Sequence, residues 1–489
     1  MSPAVRTPAD LVTAVDRRTG AMVSDAIVAH HRRRLGRTGH GSSLDADGDG
    51  WAVNGWEPRP GCSLDVLIDG AEALPRIAQE IRHARSHVHL AGWFFSPGFD
   101  LTRGSTKSPL IDLLAAVAER ADVRVLSWAG APLPLFSPSR KAVHLMRESL
   151  CCGTRIQCSL DAKERPLHCH HEKTIVIDDR VAFVGGIDLT FEHGDRFDSS
   201  KHPARGSVGW HDLACRLTGA AVNDLAEHFR MRWHEVTGER LDAAAVGPSM
   251  PEGSHTVQIT RTIPEKLYRA APGGEFGILE SYLAALRSAR SLIYLENQFL
   301  WSPEIANVLR DKLRTPPSDK FRLVLVLPAK PSSGGEDTRG TLGELVEADA
   351  GRGRIVACTL YARRGHAADP IYVHAKVGII DDRWLTLGSA NLNDHSLFND
   401  TEVNVLTLDH ALARDTRLRL WAEHLECTIG ETSGDATRLV DERWKPISSE
   451  QLQRRSLGLP LTHRLVQLPH VTRRTGRLLG PLQGLLVDA

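Results

Sequence analysis

The chain has 489 residues, 42% hydrophobic and 25% charged, the balance of a globular protein with room for two or more domain-sized units. Sixty basic residues offset sixty acidic ones, so no global field draws the molecule to nucleic acid, and a dedicated nucleic-acid binder is disfavoured. No apolar run approaches the roughly 18 residues of a membrane span, the N-terminus lacks a signal peptide's apolar core, and the cysteines are scattered, so a cytoplasmic protein with reduced thiols is expected.

Residues 1–59 read as an N-terminal extension. Within it "DADGDG" (45–50) has the look of a calcium loop, but Trp56 stands where a bidentate glutamate belongs, so a plain turn is expected. From 60 to 250 helices alternate with short Val/Ile/Leu runs. Strands are expected at 86–95, 123–128, 153–160, 171–178, 181–186 and 212–218, the last followed by a helix. The loop-like "GAPLPLFSPSR" (130–140) is apolar, fit either for packing or for touching a membrane. The polar insert 191–209 reads as a lid at a site mouth. "VGPSMPEGSHT" (246–256) is the natural joint. From 257 to 440 the pattern returns, with strands expected at 291–300, 321–328, 353–360, 374–381, 384–389 and 402–408. Residues 441–489 form a basic tail with Arg454, Arg455, Arg464, Arg473, Arg474 and Arg477 among leucines, an amphipathic helix for the core or for a membrane surface.

The return is a true repeat. "HEKTIVIDDRVAFVGGID" (171–188) aligns without a gap on "HAKVGIIDDRWLTLGSAN" (374–391), and flanking segments match in the same order. The fold class that follows is α/β: two homologous lobes, each a mixed β-sheet flanked by helices, packed with pseudo-two-fold symmetry around one site.

The repeated residues carry the chemistry. On a strand alternate side chains share a face, so His171 and Lys173 point together, as do His374 and Lys376. A lysine set in an apolar run needs an anion, and phosphate supplies one. Gly186 and Ser389, in the Gly-Gly and Gly-Ser pairs, would let backbone approach that anion, and Asp188 and Asn391 would add hydrogen bonds. Two half-sites would bring two imidazoles to opposite sides of one phosphorus, one attacking while the other protonates the leaving oxygen. Each ring needs an orienting partner. The carboxylates opening the closing strands are assigned within each lobe, Asp212 to His171 and Glu402 to His374. Asp178 and Asp381 complete the catalytic motif, yet each opens an Asp-Asp-Arg turn, where steadying the turn is the expected part. "HCHH" (168–171) invites a zinc reading, but no partner pair lies at ligand spacing, so solvated histidines are expected and no metal is assigned.

The paired His-x-Lys-x4-Asp motifs, each followed by Gly-Gly/Ser-x-Asp/Asn, resemble those of the phospholipase D superfamily, over about residues 60–435. "HHEKTIVIDD", "YLENQFLW" and "YVHAKVGIIDD" are similar to its true phospholipases D. The resemblance implies a phosphohistidine intermediate with no required metal or cofactor, His171 as nucleophile and His374 as acid. Asn297 and Gln298, with Glu296, would lie at a strand end near substrate. The expected reaction is hydrolysis of a glycerophospholipid such as phosphatidylcholine to phosphatidic acid and its head-group alcohol, with transfer to other alcohols competing. The alternatives are a phosphatidyltransferase of the cardiolipin synthase type and a nuclease of the same superfamily. The expected partners are a phospholipid at a membrane surface and water or an alcohol as acceptor, with no nucleic acid. One chain supplies both half-sites, so a monomer is expected.

Overall fold

In the computed structural model of the chain, the described residues are 8–102, 107–132, 137–165, 168–191, 209–244, 253–330, 335–364 and 366–469. The first lobe contains β1 (Arg59–Ile68), β2 (His87–Gly92), β3 (Asp122–Trp128), β4 (Gln157–Asp161), β5 (Thr174–Ile177), β6 (Val181–Gly185), β7 (Trp210–His211) and β8 (Leu213–Thr218). Its sheet runs β1-β8-β6-β5-β2-β3-β4, antiparallel as far as β2 and parallel beyond. The second lobe contains β9 (His255–Ile263), β10 (Glu275–Phe276), β11 (Leu292–Glu296), β12 (Arg322–Val326), β13 (Ile355–Arg364), β14 (Ala367–Val373), β15 (Val377–Ile380), β16 (Trp384–Gly388), β17 (Glu402–Thr407) and β18 (Leu465–Gln467). Its order, β9-β17-β16-β15-β11-β12-β13, repeats the first with the same strand directions.

The inner strands β2, β5, β11, β15, β16 and β17 are buried on both faces, which explains their unbroken apolar runs. In β5 and β6, Val176, Ala182 and Val184 enter a core shared with Val377, Leu387 and Val403 of the other lobe. Their neighbours Ile175, Ile177 and Phe183 face the first lobe's own helices. The second lobe divides likewise, with Ile379 in the shared core and Ile380 and Trp384 under its helices. The two sheets therefore pack on each other with helices outside.

The lobes are also joined through backbone. β1 pairs antiparallel with β9 across a bulge. β7 pairs parallel with β14, Trp210 opposite Tyr372 and His211 opposite Val373. The symmetry-related position carries a parallel bridge between His170 and Thr401.

The N-terminal segment packs on the second lobe, although it precedes the first. Nδ1 of His31 is 2.8 Å from Glu304, Arg34 clasps Glu265 and the Phe398 carbonyl, and Trp384 donates to the carbonyl of Gly50. The stretch 45–50 is a turn in which Gly48 and Gly50 take positive φ. Past residue 441 the chain returns to that lobe: Trp444 is fully buried against Trp421 and Tyr294, and β18 pairs antiparallel with β13. Arg455 lies over the Tyr361 ring and Arg464 pairs with Glu423, so these tail arginines serve packing. The arginines beyond 469, most of the insert 191–209 and the middle of the 130–140 loop lie outside the described residues. Among the described residues no helix is long and apolar enough to cross a membrane.

Candidate active site

Each motif histidine sits where its strand leaves the sheet and meets the other lobe. The backbone N–H groups of His171 and Glu172 both donate to the Thr401 carbonyl, at 3.0 Å each. Those of His374 and Ala375 donate to the His211 carbonyl, at 2.8 and 3.0 Å. In both cases the accepting residue immediately precedes the orienting carboxylate. Nδ1 of His171 lies 2.9 Å from Glu402 Oε1, and Nδ1 of His374 lies 2.6 Å from Asp212 Oδ2.

The pairs are thus crossed between lobes, and the within-lobe assignment of Asp212 to His171 and Glu402 to His374 is corrected. The reason lies in strand order. Within one sheet β6 separates β5 from β8, a spacing of about 10 Å, too far for a direct hydrogen bond. Across the seam the opposite carboxylate is adjacent. The pseudo-two-fold axis makes both exchanges at once.

The lysines follow. Nζ of Lys173 donates to the His171 carbonyl at 2.8 Å and pairs with Asp188 at 3.3 Å. Nζ of Lys376 donates to the His374 carbonyl at 2.5 Å and to Oε1 of Gln298 at 3.1 Å. Burial, with the nearby Lys173 ammonium adding to it, drives the Lys376 pKa down to about 7 against the pull of Asp212, Asp188 and Glu402. The two crossed pairs place the half-sites side by side. Burial pushes the Glu402 carboxyl well up, while Lys173 and the hydroxyls of Ser389 and Ser396 pull it back.

A family model described as "Cardiolipin synthase, PLD-like domain" matches residues 282–421, the span that carries His374, Lys376, Asn391 and Glu402. The Dictyostelium discoideum protein named phospholipase D A is 26% identical over 74% of this chain and 35% of its own length. The major cardiolipin synthase ClsA of Bacillus subtilis is 24% identical over 72% of this chain and 67% of its own. The phosphatidylserine synthase of Haemophilus influenzae Rd KW20 superposes on 79% of this chain and 89% of that one, with TM-score 0.52 and 14% identity. The family model and these relatives alike mark the chain as similar to proteins of the phospholipase D kind. The chain spans only about a third of the length of the amoebal relative.

Gly186, Ser389 and Asn297 have parts other than those expected, while Gln298, Asp178 and Asp381 take up the positions expected of them. Gly186 does not cradle an anion: a Cβ there would lie 2.2 Å from Oδ1 of Asp212, so the glycine makes room for that carboxylate. Ser389 donates to Glu402 Oε2 at 2.5 Å rather than facing substrate. Oδ1 of Asn297 accepts from the N–H groups of Phe299 and Leu392 and braces two loops. Gln298 does reach the site, where Oε1 also accepts from Asn391 and Nε2 donates to the Tyr372 hydroxyl. Asp178 and Asp381 do not face the imidazoles. Asp178 accepts from the N–H groups of Arg85, Ser86 and His87, and Asp381 from those of Arg290, Ser291 and Leu292, so each pins the neighbouring strand's start at the far end of the motif strand.

Sequence reasoning missed the supports beneath the site. Glu172 is buried with His228 at 2.5 Å and Arg232 beside it; burial opposes its ionisation, but the Arg232 guanidinium and the His228 ring hold its carboxyl at about 2. In the other lobe Glu296 is fully buried under His211 (2.7 Å) and His424 (3.0 Å). The Trp210 ring packs on His374, centroids 4.3 Å apart. Ser396 donates to Glu402 at 2.5 Å. His170 is buried between Thr401 and Asp161, which corrects its reading as a solvated residue. Glu172 could have been found: a glutamate inside an apolar run asks for a cation as a lysine asks for an anion.

Proposed function

We propose that the chain is a phospholipase D-type phosphodiesterase that cleaves the head group from a glycerophospholipid through a phosphohistidine. The crossed imidazole–carboxylate pairs carry this reading, since each lobe orients the other's histidine and neither half-site is complete alone. His171 Nε2 attacks phosphorus, the bond to the head-group oxygen breaks, and His374 delivers a proton to that oxygen. Glu402 holds the His171 ring at its Nδ1 edge, leaving the Nε2 edge for attack; Asp212 supplies the counter-charge when the His374 ring carries both protons. Lys173, Lys376 and Asn391 stabilise the equatorial oxygens. Water or an alcohol then attacks the phosphohistidine with His374 taking its proton. One chain completes the site, which supports a monomer, and eight free thiols suit a reducing cytoplasmic compartment with the enzyme working peripherally at a membrane surface.

Incubating the purified chain with phosphatidylcholine vesicles, with and without ethanol, tests the reaction. Choline release, with phosphatidylethanol formed when ethanol is present, is expected; no head group released from any phospholipid contradicts it. The match to the cardiolipin synthase domain description favours a second reading, transfer of a phosphatidyl group to phosphatidylglycerol. Cardiolipin formed from phosphatidylglycerol alone, without head-group hydrolysis, would establish that reading instead.

A further inference from the structure

The segments that bring His171 and Glu402 together converge just upstream on a second cluster, which the proposed chemistry does not use. His168 comes from the first lobe, and His395 and Asp400 from the second. Nδ1 of His168 lies 2.9 Å from Nδ1 of His395, and 3.3 Å from Oδ1 of Asp400. One ligand-capable atom from each residue falls within 4.8 Å of the others. His395 and Asp400 are buried, while His168 keeps 16% of its side-chain surface, a route for exchange with solvent.

Two imidazole nitrogens facing each other so closely need a proton or a cation between them. The carboxylate tips the balance toward the cation. Oδ1 of Asp400 accepts the Cys169 N–H at 2.9 Å, but Oδ2, fully buried, has no hydrogen-bond partner among the described residues. A buried carboxylate oxygen without a donor is rare and asks for an explanation. Ligands about 2.0–2.1 Å from a tetrahedral ion lie roughly 3.3 Å apart, so small side-chain rotations bring these three to coordination distance. The two groups that contain His211 differ: both of its nitrogens are committed, to Asp69 and Glu296, and Glu296 also takes the Tyr294 hydroxyl.

We infer that His168, His395 and Asp400 form a divalent-cation site of the zinc class on the seam between the lobes. Two imidazoles and one carboxylate suit a borderline transition ion, whereas magnesium or calcium would ask for a shell of oxygens. The ion ties the strand entry of His171 to the segment carrying Glu402, so it holds that catalytic pair in register without entering the in-line displacement. The ligands come from both halves of the chain, which is why spacing around "HCHH" gave no sign of them.

The test uses the full chain, dialysed against a chelator and titrated separately with Zn2+ and Mg2+, with bound metal and Tm as readouts. Zn2+ is expected to bind at one equivalent and raise Tm, and Mg2+ to do neither. His168→Gln and His395→Gln should each lose that binding and that rise. Co2+ added to the wild-type chain should give visible d–d bands without the intense near-ultraviolet band of thiolate ligation, a check that stands even if a variant fails to fold. Absence of any Zn2+-dependent rise in Tm, equal binding by folded variants, or a thiolate band would overturn the assignment. Head-group release plays no part in these readouts, so failure here is distinct from failure of the proposed reaction.

Discussion

Lys376 is the residue whose charge the fold controls most directly. The proposed phosphate cradle needs its ammonium, yet burial lowers its pKa from 10.5 to about 7. The folded protein therefore holds fewer protons than the unfolded chain between those two values, and this group makes stability rise with pH through that window. Substrate binding moves the opposite way: kcat/KM should fall as pH rises past about 7, and Lys376→Arg, charged throughout, should flatten that alkaline limb whatever it costs in rate. An unchanged limb would remove Lys376 from the cradle. The crossed pairs make a second prediction at this scale. Asp212→Asn should cost on the order of 10⁴-fold in kcat through the wrong tautomer on His374. The imidazole whose NMR titration changes should be that of His374, not of His171. The histidines and lysines were legible because the motif occurs twice. Their partners were not, since proximity in sequence points to the same lobe and only the two-fold packing reveals the exchange.

Among the elements, the motif strand is tied down at both ends, by the crossed histidine at one and by an aspartate turn at the other. Asp178 and Asp381 each satisfy three backbone N–H groups at the start of β2 and β11. Replacing either with alanine leaves those donors without their acceptor, and should cost about 1–3 kcal/mol of stability by denaturant midpoint while the folded enzyme keeps its kcat. A large loss of kcat at unchanged stability would return these aspartates to the chemistry. The strands themselves could be read from their Val/Ile runs and the turn from Asp-Asp-Arg. β18 could not: three residues within a basic tail carry no periodicity, and only the open edge of β13 makes them a strand. Trp444, buried beside Trp421, marks the same segment as core, so Trp444→Ala should destabilise by about 3–5 kcal/mol. A loss under 1 kcal/mol would make that segment a true appendage.

At the scale of the whole molecule, duplication yields one site because the sheets share a core and trade backbone hydrogen bonds across it. The two-lobed architecture was legible from the gapless repeat, but the N-terminal segment was not. It precedes the first lobe and packs on the second, through His31, Arg34 and Gly50, and no local pattern announces such a return. The most direct measurement is mass spectrometry of the chain, acid-free and rapidly quenched during turnover of a short-chain phospholipid. The wild type is compared with His171→Ala and with His374→Ala. The account expects a phosphatidyl adduct on His171 in the wild type, its persistence when His374 is replaced, its absence when His171 is replaced, and no steady turnover in either variant. Steady turnover by either histidine variant, or an adduct on a residue other than these two histidines, would contradict it.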